Sequence, residues 1–349
     1  MSFSELDEEL EAIRQAADIP GLAVGLVRQG EVVWATGLGS KDVLDGAPMT
    51  TNSPLLTASV SKTVVALSAA HLAATGQVDL DAPVDSSMGD GYRHPSGERY
   101  SLRQLLTHTA GIADDWDTLA EGYVVGDATV ELNAWVGAYF VAGGDLYSDS
   151  RNFIPSGPGS QRVYSNAGVA LAAAVLEAHI GVRFDDWCDS ELFDPLALSH
   201  TGWHLDDFSD SDIASPHLRT SEGPLPIPHY GVPDWPNGQL RASVVDLSTL
   251  VASVAEDGSH PPGTRELLFE VPFPDLDEGQ ALAWSVRDLA GRGPIWTHGG
   301  SEAGAAAEVI LDPATGDAVI VLANIDNDHI TRDAIETIVT RALDALASR

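Results

Sequence analysis

A serine and a lysine three residues apart carry the first chemical signal. The stretch reads Thr57-Ala58-Ser59-Val60-Ser61-Lys62-Thr63, and Lys62 is one of only two lysines in 349 residues, the other being Lys41. The remaining fixed cations are arginines. An amine loses its proton near neutral pH when desolvated, whereas a guanidinium does not. A lysine at this spacing therefore suits activation of a serine nucleophile. The apolar run from Ser59 to Ala74, closed by Gly76 at the C′ position, predicts a helix. On it, Ser59 and Lys62 share a face. A hydroxyl at a helix N-terminus also has an oxyanion donor in its own N–H. A capping serine beside a surface lysine would look the same, so the pair alone does not decide.

Two further clusters have chemical potential. Tyr164-Ser165-Asn166 precedes the apolar helix Ala167–Ile180. A tyrosine beside a lysine exchanges protons with a serine, and an asparagine orients a lysine or a substrate amide. The same tripeptide fits a half-buried tyrosine and a helix cap. His298-Gly299-Gly300-Ser301 follows the strand Ile295-Trp296-Thr297. Glycines let a strand edge approach a ligand. That edge could offer the Ser301 N–H as a second oxyanion donor and His298 as a polar or cationic group; a Gly-Gly bulge with a surface histidine is the plainer alternative.

The elements that must position these residues are legible at both ends. Ser4–Ala17 predicts an amphipathic helix with Leu6, Leu10 and Ile13 on one face. Gly21–Val27 and Val32–Thr36 flank a turn at 28–31 and predict a hairpin. Ser101–Leu106 predicts a short helix. Ala307–Leu311 and Ala318–Ala323 flank the turn Asp312–Asp317, a second hairpin. The last helix carries Ile335, Ile338, Val339, Ala342 and Leu346 on one face. From about 113 to 236 strand signals are few and much of the chain reads as loop. Strands at both ends and helices between them predict an α+β fold, with one antiparallel sheet built from both termini and a helical insertion.

Composition bounds the partners. Fifty-two acids face 18 lysines and arginines, a formal net charge of −34. Such a surface repels nucleic acid and anionic membrane. Abundant aspartate with scarce lysine suits a halophilic protein, because salt screens acidic repulsion. Cys188, the only cysteine, reads as a buried structural thiol and excludes an intrachain disulfide and a Cys-based zinc site. Asp206, Asp207, Asp210 and Asp212 lack the glycine and terminal glutamate of a calcium loop and read as a solvated loop. No basic-apolar leader and no apolar run of membrane-spanning length is present, so a cytoplasmic location is expected.

Ser-x-x-Lys, Tyr-x-Asn about a hundred residues on and His-Gly-Gly near the C-terminal strands, in that order, resemble the penicillin-recognising serine hydrolases. The similarity points to the class C β-lactamase-like family with its esterases and D-amino-acid peptidases. Leu105-Leu106-Thr107-His108-Thr109-Ala110-Gly111 is similar to that family's Leu-Leu-Thr-His-Thr-Ser-Gly segment, and 76–84 to its post-helix loop. Asn237–Ser243 resembles its Gly-Gly-Leu-x-Ser segment, with Gln239 in place of a glycine.

The resemblance runs from about Pro20 to the C-terminus. It implies a β-lactamase/transpeptidase-like fold: an antiparallel sheet flanked by N- and C-terminal helices (1–75 and 237–349), an all-helical domain with long loops (76–236), and the site in the cleft between them. It implies Ser59 as nucleophile, Lys62 and Tyr164 sharing the proton, and Asn166 holding Lys62 and the substrate amide. Ser59 and Ser301 N–H groups would form the oxyanion hole beside His298, Gly299 and Gly300. No metal or organic cofactor is implied, and His108 reads as structural.

True β-lactamases usually carry Lys-Thr-Gly where this chain has His298-Gly299-Gly300. A partly charged histidine suits peptidases and esterases better. The expected activity is hydrolysis of small esters or amides through an acyl-enzyme, with D-peptides and β-lactams as further substrates. A class C-type β-lactamase and a slowly deacylating penicillin-binding or sensor protein are the alternatives. No Gly-x-Ser-x-Gly, His-Glu-x-x-His or Gly-x-x-x-x-Gly-Lys motif supports another hydrolase or a nucleotide site.

Overall fold

The computed structural model describes residues 2–209, 212–255, 258–289 and 293–348; Asp210 of the acidic loop falls outside them. Six strands form the main sheet: β1 (Gly21–Arg28), β2 (Glu31–Gly39), β3 (Ser285–Asp288), β4 (Pro294–Glu302), β5 (Ala305–Asp312) and β6 (Asp317–Ala323). Their order is β3-β4-β5-β6-β1-β2, every pair antiparallel. Strands from both ends of the chain thus meet where β1 pairs β6, Val24 opposite Val321.

The turns form for local reasons. Gln29 (φ 52°) and Gly30 (φ 81°) both take the left-handed conformation that a two-residue hairpin with right-twisted strands requires. The β5–β6 turn abuts it, and Gly30 N donates to the Gly316 carbonyl at 3.0 Å.

Alternation along the strands gives the sheet two apolar faces. On the outer face Leu22, Val24, Leu26, Ile310, Val319 and Val321 pack under α1 (Phe3–Ala16) and the C-terminal helix His329–Ala347. α1 starts on a capping box in which Ser2 Oγ accepts from Glu5 N. Ala23, Val27, Val309, Leu311, Ile320 and Leu322 face inward.

Against that inner face lie α2 (Ser61–Ala74) and its neighbours. α2 is buried on nearly every side, and Gly76 ends it at C′ with φ 73°. The same core holds α3 (Leu102–Leu106), α4 (Leu132–Phe140), α5 (Asn166–Ile180), α6 (Val244–Ala255) and α7 (Thr264–Phe269): α5 and α7 pack on α2, and α3 and α4 pack on α5; the last helix is α8. α6 lies directly on β1, β2 and β6.

The structure adds elements where the sequence reads as loop. α4 buries Leu132, Trp135, Val136, Tyr139 and Phe140, a helical repeat in a short segment. Small ladders join Val124–Val125 to Tyr230–Gly231, and Leu55–Leu56 and Thr201–Gly202 to Arg241–Ala242. Asp207, in the acidic loop, accepts from His204 N at 2.8 Å and closes a turn. Cys188 is fully buried, and burial pushes its thiol pKa up. Among the described residues no single helix is long and apolar enough to cross a membrane.

Candidate active site

Ser59 sits in a single 3-10 turn, Ala58–Val60, which leads directly into α2. Sequence reasoning puts Ser59 in the α-helix itself. The tighter turn follows from Ala58, whose φ of 50° is left-handed and costs about 1–2 kcal/mol for a residue with a Cβ. Surrounding hydrogen bonds hold that conformation. Thr57 N and Oγ1 both donate to the Leu240 carbonyl at 2.9 Å. Ser61 Oγ donates to the Ala58 carbonyl at 2.6 Å and accepts from Leu240 N at 3.0 Å. Of residues 53–70, only Ser59 is not buried.

Lys62 lies beneath it, with 0% exposure. Its Nζ donates to Ser59 Oγ at 3.0 Å and to the Asn237 carbonyl at 2.6 Å. It also lies 5.1 Å from the centroid of the Tyr164 ring. An amine taken out of water needs such partners. The resemblance assigns the task of holding Lys62 to Asn166. In the structure the Asn237 carbonyl receives the amine, while Asn166 lines the cleft at the first position of α5.

Asp114, a residue the sequence does not single out, organises Tyr164-Ser165-Asn166. Its carboxylate accepts from Ser165 Oγ at 2.9 Å, Asn166 N at 2.8 Å and Ala167 N at 3.1 Å. This is an acid capping a helix N-terminus. Burial pushes the Asp114 pKa up, and those donors offset part of the rise.

His108 packs its ring 4.4 Å from the Tyr164 ring. Ser165 N donates to His108 Nδ1 at 3.3 Å, so a neutral ring carries its proton on Nε2, which is buried with no hydrogen-bond partner among the described residues. Burial, then the charges of Arg162 and Lys62, hold the His108 pKa well below the usual histidine range.

The His298-Gly299-Gly300-Ser301 run lies in β4. β3 pairs β4 only as far as Thr297, so among the described residues no strand pairs with that edge from His298 onward on the β3 side. Gly300 faces the nucleophile turn. A Cβ there would overlap the Thr57 carbonyl oxygen and lie 3.0 Å from Ala307 Cβ. Only glycine lets the strand come this close. His298 Nδ1 is hydrogen-bonded to the carbonyl of Ala283, itself at φ 57°. Burial, then the charge on Lys62, pushes the His298 pKa down to about 4. The partial charge expected from sequence is thus absent at neutral pH. The ring is neutral, with Nδ1–H donating and Nε2 left as an acceptor.

Ser59, Tyr164, Asn166, His298, Gly299, Gly300 and Ser301 line one cavity of about 1070 Å³. Lys62 is beneath that surface. Three non-glycine residues with left-handed φ, namely Ala58, His108 and Ala283, border the site, a clustering expected where strain is kept for function. Two acids that sequence reasoning passes over join the lining. Asn237 Nδ2 donates to the Asp234 carbonyl at 2.6 Å and to its Oδ2 at 2.8 Å. Asp234 is 5% exposed, and burial pushes its pKa up to about 7. Glu302 Oε2 accepts from the Tyr123 hydroxyl at 2.7 Å, and burial pushes its pKa up too.

The arrangement is a hydroxyl in contact with a buried amine, on a strained turn beside an open strand edge. A family model described as Beta-lactamase matches residues 6–341. The chain belongs to the beta-lactamase family. This family of serine hydrolases includes esterases, amidases and class C β-lactamases. Penicillin-binding protein 4 of Amycolatopsis lactamdurans is 25% identical over 338 residues, covering 91% of this chain and 84% of that one. Among solved structures, the D-amino acid amidase of Ochrobactrum anthropi SV3, complexed with L-phenylalanine amide, superposes with a TM-score of 0.80 at 20% identity, covering 99% of each chain. EstCE1, a hydrolase with promiscuous acyltransferase activity, gives 0.77 at 19% identity over 97% of this chain and 98% of its own. The beta-lactamase/transpeptidase-like fold expected from sequence is the fold observed.

Proposed function

We propose that this protein hydrolyses small esters or amides through an acyl-enzyme on Ser59. The observation that carries this reading is the 3.0 Å contact from the fully buried Lys62 Nζ to Ser59 Oγ. Ser59 Oγ bonds to the acyl carbon, and its proton passes through Lys62 and Tyr164 to the leaving alcohol or amine. Water then attacks the acyl-enzyme, releasing the acid and restoring the Ser59 hydroxyl. The N–H groups of Ser59 and Ser301 receive the oxyanion. Asn166 and Gly299 border the acyl group, and Gly300 keeps the strand edge close. The cleft is read as the junction of the sheet-bearing segments 1–75 and 237–349 with the intervening 76–236.

Neutral His298 supports an ester or amide substrate over a β-lactam, because it supplies no fixed cation for a drug carboxylate. Time courses with a chromogenic short-chain ester and a chromogenic cephalosporin test this, together with intact-mass analysis after an acylating inhibitor. Sustained ester turnover and an adduct on Ser59 support it. Faster cephalosporin turnover reassigns the substrate, and an adduct elsewhere on active protein overturns the mechanism. The acidic surface is further read as an adaptation to salt. Unfolding should then occur at higher temperature in molar salt than in low salt, and equal midpoints would refute that adaptation.

A further inference from the structure

We propose that Glu302 and Asp234 form a seat for a positively charged nitrogen on the substrate's acyl group, so that the preferred acyl donors are esters or amides of amino acids with a free amine. This rests on the hydrolase reading above and names its substrate class.

The placement follows from β4. His298, Gly300 and Glu302 are alternate residues, so their Cα–Cβ directions share one face of the strand. The partners of His298 and Gly300, Val309 and Ala307, place that face on the inner side of the sheet. Gly300 meets the nucleophile turn, and Glu302 follows about 7 Å along the strand. A Cβ on Gly238, the neighbour of the residue holding Lys62, would lie 3.8 Å from Glu302 Oε1. Asp234 lines the same cavity, and the Glu302 charge is among those raising its pKa.

The charges in the cleft are unevenly satisfied. Arg162 is bonded to Gln280 at 2.8 Å and lies 3.5 Å from Asp277. Arg287 lies 3.8 Å from Glu308 and 3.7 Å from Glu336. Lys62 is held by Ser59 and Asn237. The cleft's cations thus have partners already. Asp234 and Glu302 are hydrogen-bonded to neutral groups, among them an amide and a phenol, and form no ion pair among the described residues; the Lys62 charge favours both but is itself held by Ser59 and Asn237. A carboxylate drawn out of water, wholly at Asp234 and partly at Glu302, is favoured in its charged form by a cation beside it.

His298 lies about 13 Å back along β4 from Glu302, too far to share that ammonium, and meets another part of the substrate. It is 92% buried, its Nδ1 is committed to Ala283, and no hydrogen bond reaches Nε2 among the described residues. That nitrogen offers the cleft a lone pair, which accepts an N–H and disfavours a carboxylate.

The test uses 4-nitrobenzyl esters of D-alanine, L-alanine and isobutyrate; isobutyrate replaces the ammonium with a methyl group of similar size. Each kcat/KM is divided by the ester's own rate of alkaline hydrolysis. The full chain should favour at least one alanine ester over isobutyrate by about tenfold or more. Glu302→Gln should cut that ratio at least fivefold. Glu8→Gln, which removes the same charge from the exposed face of α1, should preserve the ratio. Turnover of isobutyrate with no alanine preference would overturn the ammonium seat and leave the hydrolase reading standing. An alanine preference unchanged in Glu302→Gln, or lost equally in Glu8→Gln, would also overturn it. No turnover of any ester would refute the hydrolase reading itself.

Discussion

The two faces of the central sheet are built on opposite terms. The outer face, under α1 and α8, is closed by Leu, Ile and Val with matched alternation, and its job ends at cohesion. The inner face carries the strand edge at His298–Glu302, a buried amine, acids of raised pKa and three left-handed non-glycine residues. One sheet thus holds a region where local preferences agree and a region where they are overruled. Conflict of this kind is expected where function sets the geometry.

Perturbations on the two faces should therefore separate activity from stability. Ser59→Ala should cost about 10⁴-fold or more in kcat/KM while the melting temperature holds or rises. A matching fall in melting temperature would mean that the nucleophile turn is structural. Lys62→Arg should lose about 10³-fold, since arginine keeps its proton and its fork does not fit the Ser59–Asn237 gap. Near-normal rates in that variant would end the proton-transfer role. Gly300→Ala and Ile338→Ala form the direct contrast. The first should drive β4 off Thr57 and lower kcat/KM about 100-fold, at a cost of about 1–3 kcal/mol. The second, in the outer core, should cost about 2–5 kcal/mol of stability and change kcat/KM of the folded enzyme less than about twofold.

The smallest effect is pH-dependent. The Asp234 pKa is near 4 in an unfolded chain and is pushed up to about 7 in the fold. The folded state holds that proton more tightly, so stability present below about pH 4 is lost as pH rises through about 7. Asp234→Asn should flatten that part of the melting-temperature profile, and an unchanged profile would show that the carboxyl is not strained by burial.

The same contrast explains what could be read from sequence. Both terminal hairpins were legible because turn residues such as Gln29-Gly30 and Asp312–Asp317 sit between alternating apolar runs. Ser59, Lys62, Tyr164 and His298 were legible because their motifs are short and ordered along the chain. α4 was missed because nine residues give barely two repeats of the pattern Leu132, Trp135, Val136, Tyr139, Phe140. Asp114, Asp234 and Glu302 were missed for a different reason. They are three among 52 acids, and only tertiary burial distinguishes them. The strain at Ala58 left no trace either, because alanine has no preference for left-handed backbone.

The seam between β1 and β6 also sets a timetable for biosynthesis. Residues 22–27 find their second ladder neighbour only in residues 318–323. While the ribosome makes the intervening three hundred or so residues, the first hairpin waits with a bare margin, open to mispairing with other nascent chains. Assembly of the sheet is thus postponed until residues 318–323 have been made, and a polypeptide cut short before them never closes it.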